Sequence, residues 1–145
     1  MRGRTGSRRS SRELALRALY QTDLAEATPE DAFASASEEH ERYSEETLSF
    51  GRELLQGVTQ HSRTIDAIIE KYARGWSLER MAHLDRNIMR LATYELLYLP
   101  DIPPSVTVDE AVELAKRYST AESGRFVNGV LGNIVRNLEE ERSQL

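Results

Sequence analysis

The residues of this chain best suited to chemistry are cations and aromatic rings, and they gather near its two ends. Near the C-terminus runs Ser123-Gly124-Arg125-Phe126-Val127-Asn128-Gly129-Val130-Leu131. At 100° per residue, Val127, Val130, Leu131, Ile134 and Leu138 share one side of a helix, the stripe of an ordinary core. Arg125 and Asn128 point away from that stripe, and Phe126 sits on its rim. A cation, an amide and a ring at a helix start, where unpaired backbone N–H groups favour anions, can form half of a nucleic-acid contact surface. The competing reading is a buried phenylalanine with solvated neighbours, since apolar stripes are far commoner than binding sites. Near the N-terminus, Arg9, Arg12, Arg17 and Tyr20 project within an arc of roughly 140° on one helix. Arginines attract phosphates in a salt-dependent way, while Tyr20, Tyr118 and Phe126 can stack on bases of a single strand. The two groups make one surface if the helices that carry them touch.

The charge distribution gives these cations a context. Residues 1–17 hold six arginines (Arg2, Arg4, Arg8, Arg9, Arg12 and Arg17) against the single acid Glu13, a net +5. With −5 over the whole chain, the remainder carries −10. A basic arm on an acidic body suits two partners of opposite character, one of them an anion such as nucleic acid. A basic tail that only aids solubility fits the same numbers. The chain has no cysteine, which excludes disulfides and thiolate chemistry. No stretch approaches the roughly 20 apolar residues of a membrane span, and the basic N-terminus lacks the apolar segment of a signal peptide. A cytoplasmic location follows as the expectation.

Catalytic groups do not converge. His40, His61 and His83 are isolated, and none lies four residues from another, so a helical zinc pair is excluded. There is no phosphate-binding glycine loop and no nucleophilic serine elbow. Gly129-Val130-Leu131-Gly132 matches a GxxG pattern but falls inside a helix, where its glycines are expected to admit a close neighbour. The expectation is a protein with no catalytic residues, metal or cofactor.

The elements that must position the cations and rings are helices. Residues 1–9 read as a flexible basic arm ahead of an all-helical RNA-binding domain, 10–145. Ser10 and Glu13 form a capping box for a helix over about 11–26. Thr28-Pro29 opens a second over about 29–37, and the acidic run Glu38 to Glu46 is an exposed connection. Ser44 caps a third, about 45–60. Ser62 or Thr64 begins a fourth that ends near Gly75, with Trp76 sealing the core and Ser77 capping a short turn. The fifth, about 84–98, carries Glu95 inside its apolar stripe, which requires a buried hydrogen bond to a backbone N–H or an arginine. Thr107 and Glu110 form a second capping box for a sixth, about 108–118. The seventh, about 122–138, holds the opening stretch. No segment alternates as a strand does. The expected fold is all-α: a single compact domain of about seven helices in two packed sub-bundles.

Four segments together resemble the NusB family of bacterial transcription antitermination factors: Arg12 to Tyr20 (RELALRALY), Leu84 to Leu96 (LDRNIMRLATYEL), Val108 to Lys116 (VDEAVELAK) and Phe126 to Leu131 (FVNGVL). Their order and separation match as well, so the resemblance covers nearly everything except residues 1–8 and the acidic connection. It implies an all-helical fold and binding of the single-stranded boxA segment of leader RNA, especially in ribosomal RNA operons. It also implies pairing with NusE, the ribosomal protein that doubles as a transcription factor, within an antitermination complex on RNA polymerase. By matching positions, Arg8, Arg9, Arg12, Arg17, Tyr20, Glu122, Arg125 and Phe126 would face RNA, and Glu79 and Asp85 would face NusE. One departure is Gly132, which stands after FVNGVL where the family often has an acid. Two other readings remain open at this stage. One is a stand-alone helical module like that preceding the catalytic domain of some ribosomal RNA cytosine methyltransferases, and the other is a helical protein–protein adaptor.

Overall fold

The computed structural model describes residues 4–38 and 43–145, with the side chains described from Arg8 onward. Arg2 and the middle of the acidic connection therefore lie outside the described residues, as does the Arg4 side chain. The described chain is helical and clusters into two compact units, Met1–Gln60 and His61–Leu145.

The first unit contains α1 (Arg4–Ala25), α2 (Pro29–Glu38) and α3 (Glu45–Gln60). Two of its starts are set by local chemistry, as expected. Thr28 Oγ1 accepts from the Asp31 N–H at 3.1 Å, ahead of Pro29. Ser44 Oγ accepts from the Thr47 N–H at 3.1 Å. The start of α1 differs from expectation, because the helix begins at Arg4 and runs through Ser10. Residues 4–9 contain no proline and the helix continues through Gly6, so the Ser10–Glu13 pattern lies inside it and caps nothing. The next residue, Ser11, is buried and donates to the Thr47 carbonyl at 2.7 Å, tying α1 to α3. Gly51 permits that approach: a Cβ there would stand 3.1 Å from Phe33 Cε1 of α2 and 3.4 Å from the Ser11 carbonyl.

The second unit contains α4 (Ser62–Tyr72), a 3-10 turn (Leu78–Arg80), α5 (His83–Tyr98), α6 (Pro104–Tyr118), α7 (Ala121–Arg136) and α8 (Leu138–Ser143). Helix α5 is its centre, packed by α4, α6, α7 and α8, so nearly its whole circumference is buried. Ile65 and Ile69 of α4 and Val127, Val130, Leu131 and Ile134 of α7 are buried, and Leu138 of α8 completes their stripe. The α4–α5 pair is clamped by Arg90, whose Nε and Nη2 reach the two carboxylate oxygens of Asp66 at 2.8 and 3.1 Å.

Several local expectations are corrected here. Helix α6 starts at Pro104, because proline fits the first helical turn, so Thr107 lies inside the helix rather than capping it. Neither Ser62 nor Thr64 caps α4, which is preceded by His61 with no side-chain cap. In place of Ser77, Glu70 Oε2 accepts from the Leu78 N–H at 3.1 Å. Gly129 and Gly132 admit no neighbouring helix: a Cβ on Gly129 meets open space, and one on Gly132 meets only the Arg136 side chain. The close approach in this region is at Gly124, where a Cβ would come within 3.0 Å of Lys116 Cγ.

Candidate nucleic-acid interface

Helix α1 has no acid in its first turn, so its positive N-terminal end coincides with arginines. Charges of one sign are thereby concentrated where an anion gains most. Arg8 and Arg9 are exposed, and Arg17 and Tyr20 are half-buried. The Arg8 guanidinium lies 4.4 Å from the centre of the Phe50 ring on α3, and that of Arg12 lies 5.9 Å from the same ring. Such contacts are worth about 0.5–2 kcal/mol and orient the cation. Arg12 is only 5% exposed, which leaves it little surface for a ligand. Phe50 was not singled out in the sequence. Its only signal was its place beside Gly51, on the rim of α3's inner face.

In the second unit, Thr120 caps α7 by accepting from the Ser123 N–H at 3.0 Å. The cap fixes the first turn, in which Glu122 is exposed and favoured by the positive helix end. One turn on, Arg125 is exposed and Phe126 is half-buried. Tyr118, at the end of α6, is half-buried as well.

Trp76 does not seal the core as expected. Gly75 adopts φ +80 in the turn that follows α4, and Trp76 emerges from that turn 45% exposed. Its ring meets Phe126 edge to face, with centroids 5.7 Å apart and planes at 64°. The Arg80 guanidinium lies 5.2 Å from the Trp76 ring centre. Beside the two rings opens a groove of about 410 Å³, lined by Arg74, Arg125, Gly129, Asn133 and Arg136 among others. Arg136 donates to Asn133 Oδ1. Among the described residues, Arg74 and Arg125 have neither a hydrogen-bond nor an ion-pair partner. A larger groove of about 610 Å³ between α2 and α3 carries Glu30, Glu38 and Arg52, charges of mixed sign that converge on nothing.

The two acids expected to face a protein partner differ in setting. Glu79 is exposed in the 3-10 turn. Asp85 is 8% exposed in the first turn of α5, where Ser123 Oγ donates to its Oδ2 at 3.1 Å. Its Oδ1 is buried without a partner. Burial pushes the Asp85 carboxyl above its ordinary pKa, and the bond from Ser123 opposes that shift. Asp85 thus ties the start of α5 to the element that carries Arg125 and Phe126.

The NusB family model matches residues 9–136, a span that runs from Arg9 through the FVNGVL stretch. The chain belongs to the NusB family. Among NusB relatives it is 49% identical over 140 residues to the transcription antitermination protein NusB of Symbiobacterium thermophilum, covering 92% of each chain. It is 46% identical over 132 residues to NusB of Myxococcus xanthus, covering 89% of this chain and 94% of that one. Among solved NusB structures, that of T. maritima matches with a TM-score of 0.85 at 38% identity, over 95% of this chain and 97% of the other. The crystal structure of antitermination factors NusB and NusE in complex with dsRNA matches with a TM-score of 0.84 at 31% identity, over 90% and 97%. Among the described residues of this NusB-family chain, no three or more histidine, aspartate or glutamate side chains gather as a metal site. No helix of the described residues is long and apolar enough to cross a membrane.

Proposed function

We propose that this chain is a cytoplasmic, non-catalytic transcription antitermination factor. It binds the single-stranded boxA segment of leader RNA, especially in ribosomal RNA operons, and pairs with NusE within the complex on RNA polymerase. The observation that carries this reading is the exposed Arg125 beside Phe126, at the head of FVNGVL, in a chain 49% identical to a transcription antitermination protein over 92% of both lengths. In the first unit, Arg8, Arg9 and Arg17 meet phosphates, Tyr20 stacks on a base, and Arg12 holds the Phe50 contact that orients Arg8. In the second, Arg125 meets phosphate, Phe126 stacks, and Glu122 accepts from an exocyclic amine or a ribose hydroxyl. Glu79 faces NusE directly, while Asp85 acts from beneath that surface.

The test is transcription in vitro through a terminator placed downstream of boxA. Adding the chain together with NusE is expected to raise read-through on the boxA template and leave a scrambled template unchanged. Equal read-through on both templates would contradict the proposal.

A further inference from the structure

The groove beside Trp76 is only partly used by the RNA contacts proposed above: Arg125 and Phe126 line it, whereas Arg74, Trp76 and Arg136 have no role there. Its features point in one direction. Three arginines line it: Arg74 lies just after α4, Arg125 and Arg136 stand about three turns apart on α7, and all three are exposed. Two of them lack any partner among the described residues, so their charge is unspent. A tryptophan at 45% exposure sits against a phenylalanine, a large uncovered aromatic surface next to cations. Gly129 stands open between Arg125 and Arg136, and any side chain there would project into free space at the groove. Apolar protein ligands match such a surface poorly, because the charges would be buried unpaired. An acidic peptide satisfies the arginines but leaves the rings unused. A nucleotide uses both, its phosphate on the cations and its base on the rings.

We infer that this notch is an additional nucleotide subsite, in which a base of single-stranded RNA stacks on Trp76 while its flanking phosphates lie across Arg74, Arg125 and Arg136. It rests on the RNA-binding reading above and extends it from Phe126 to the turn after α4. Arg80, over the Trp76 ring, steadies the platform. Gly129 keeps the path between the arginines clear. The subsite admits any base, since stacking is sequence-tolerant, so it adds affinity to a flanking nucleotide more than sequence choice.

The test uses the intact chain, in which Trp76 is the single tryptophan, so its emission reports on the notch directly. A labelled RNA oligonucleotide carrying boxA and flanking nucleotides is titrated in. Anisotropy follows binding while tryptophan emission follows the notch, with inorganic polyphosphate as the control that has phosphates and no bases. Emission is expected to fall in step with RNA binding and to stay nearly constant with polyphosphate. Trp76→Ala should weaken RNA binding roughly 5- to 150-fold with little change in salt dependence. Arg74→Gln, at an exposed position, should keep the fold and flatten the logarithmic salt slope by about 0.7. RNA binding with constant tryptophan emission and an unchanged slope in Arg74→Gln would overturn the subsite and leave the proposed function standing. Quenching by polyphosphate equal to that by RNA would overturn the stacking. Failure of any RNA to bind would overturn both readings.

Discussion

Thr107 of α6 donates a hydrogen bond of 2.9 Å to Glu95 of α5, and both side chains are buried. At 2% exposure, Glu95 is buried as its position in the helix stripe demanded, and the Thr107 hydroxyl is one of the groups that hold its carboxylate. Glu95→Ala leaves the Thr107 hydroxyl without this acceptor and should cost about 1–3 kcal/mol. Thermal melting checks it; a variant that melts with the parent would contradict this role.

Asp85 makes stability depend on pH through the opposite balance. Its folded-state pKa is raised by burial, beyond what the Ser123 bond recovers. The protonated acid is therefore favoured by folding, a contribution fully present below the unfolded pKa and lost as pH rises through the folded one. Asp85→Asn removes the charge and should raise the melting temperature at neutral pH, with the gain shrinking in mild acid. Denaturation curves across pH test this. A variant less stable than the parent at neutral pH would show that the ionised carboxylate is stabilising.

Local signals in the sequence were legible where a few adjacent residues decide the outcome. Thr28-Pro29 and Ser44 cap as read, because the hydroxyl and its N–H are three residues apart. The all-helical class and the stripe of α7 were equally plain. Ser10 and Thr107 carry the same cap chemistry, yet the preceding residues extend each helix past them. Helix α8 lies beyond the last expected helix, which ends near residue 138, because its acidic sequence has almost no apolar period. Its placement depends on Glu141, which Lys71 reaches at 2.6 Å and to which the Tyr72 hydroxyl donates. Trp76 followed the usual expectation for a large apolar residue, and only the Gly75 turn and the contact with Phe126 reveal it as surface. Arg12 and Asp85 show the converse, since charged residues on helix faces proved buried by neighbours remote in sequence.

The proposed partner surface can be tested at Glu79 without disturbing the core. Asp85→Lys would place a long cation where only 8% of the residue is exposed, so a loss of binding there would not separate a lost contact from a disturbed core. Glu79→Lys lies on an exposed turn and should keep the fold, weaken NusE binding and leave RNA affinity alone. Calorimetry with NusE decides it, and unchanged affinity in the folded variant would remove Glu79 from that surface.

Cation and ring contributions to RNA binding separate by salt. Arg9→Ala should flatten the single-strand salt slope by about 0.7. Phe126→Ala should cost roughly 1–3 kcal/mol in affinity with that slope nearly unchanged. Titrations at several salt concentrations read both quantities at once. A folded Phe126→Ala protein that binds boxA RNA normally would remove Phe126 from the interface.

The central claim, a boxA-specific RNA factor that works with NusE, is tested most directly by one pair of titrations. Labelled boxA RNA and a scrambled strand of equal length and composition are each titrated with the chain, alone and with saturating NusE, at one fixed salt concentration. The account predicts tighter binding of boxA than of the scrambled strand, and a further gain with NusE for boxA only. Equal affinity for the two strands under both conditions would contradict it.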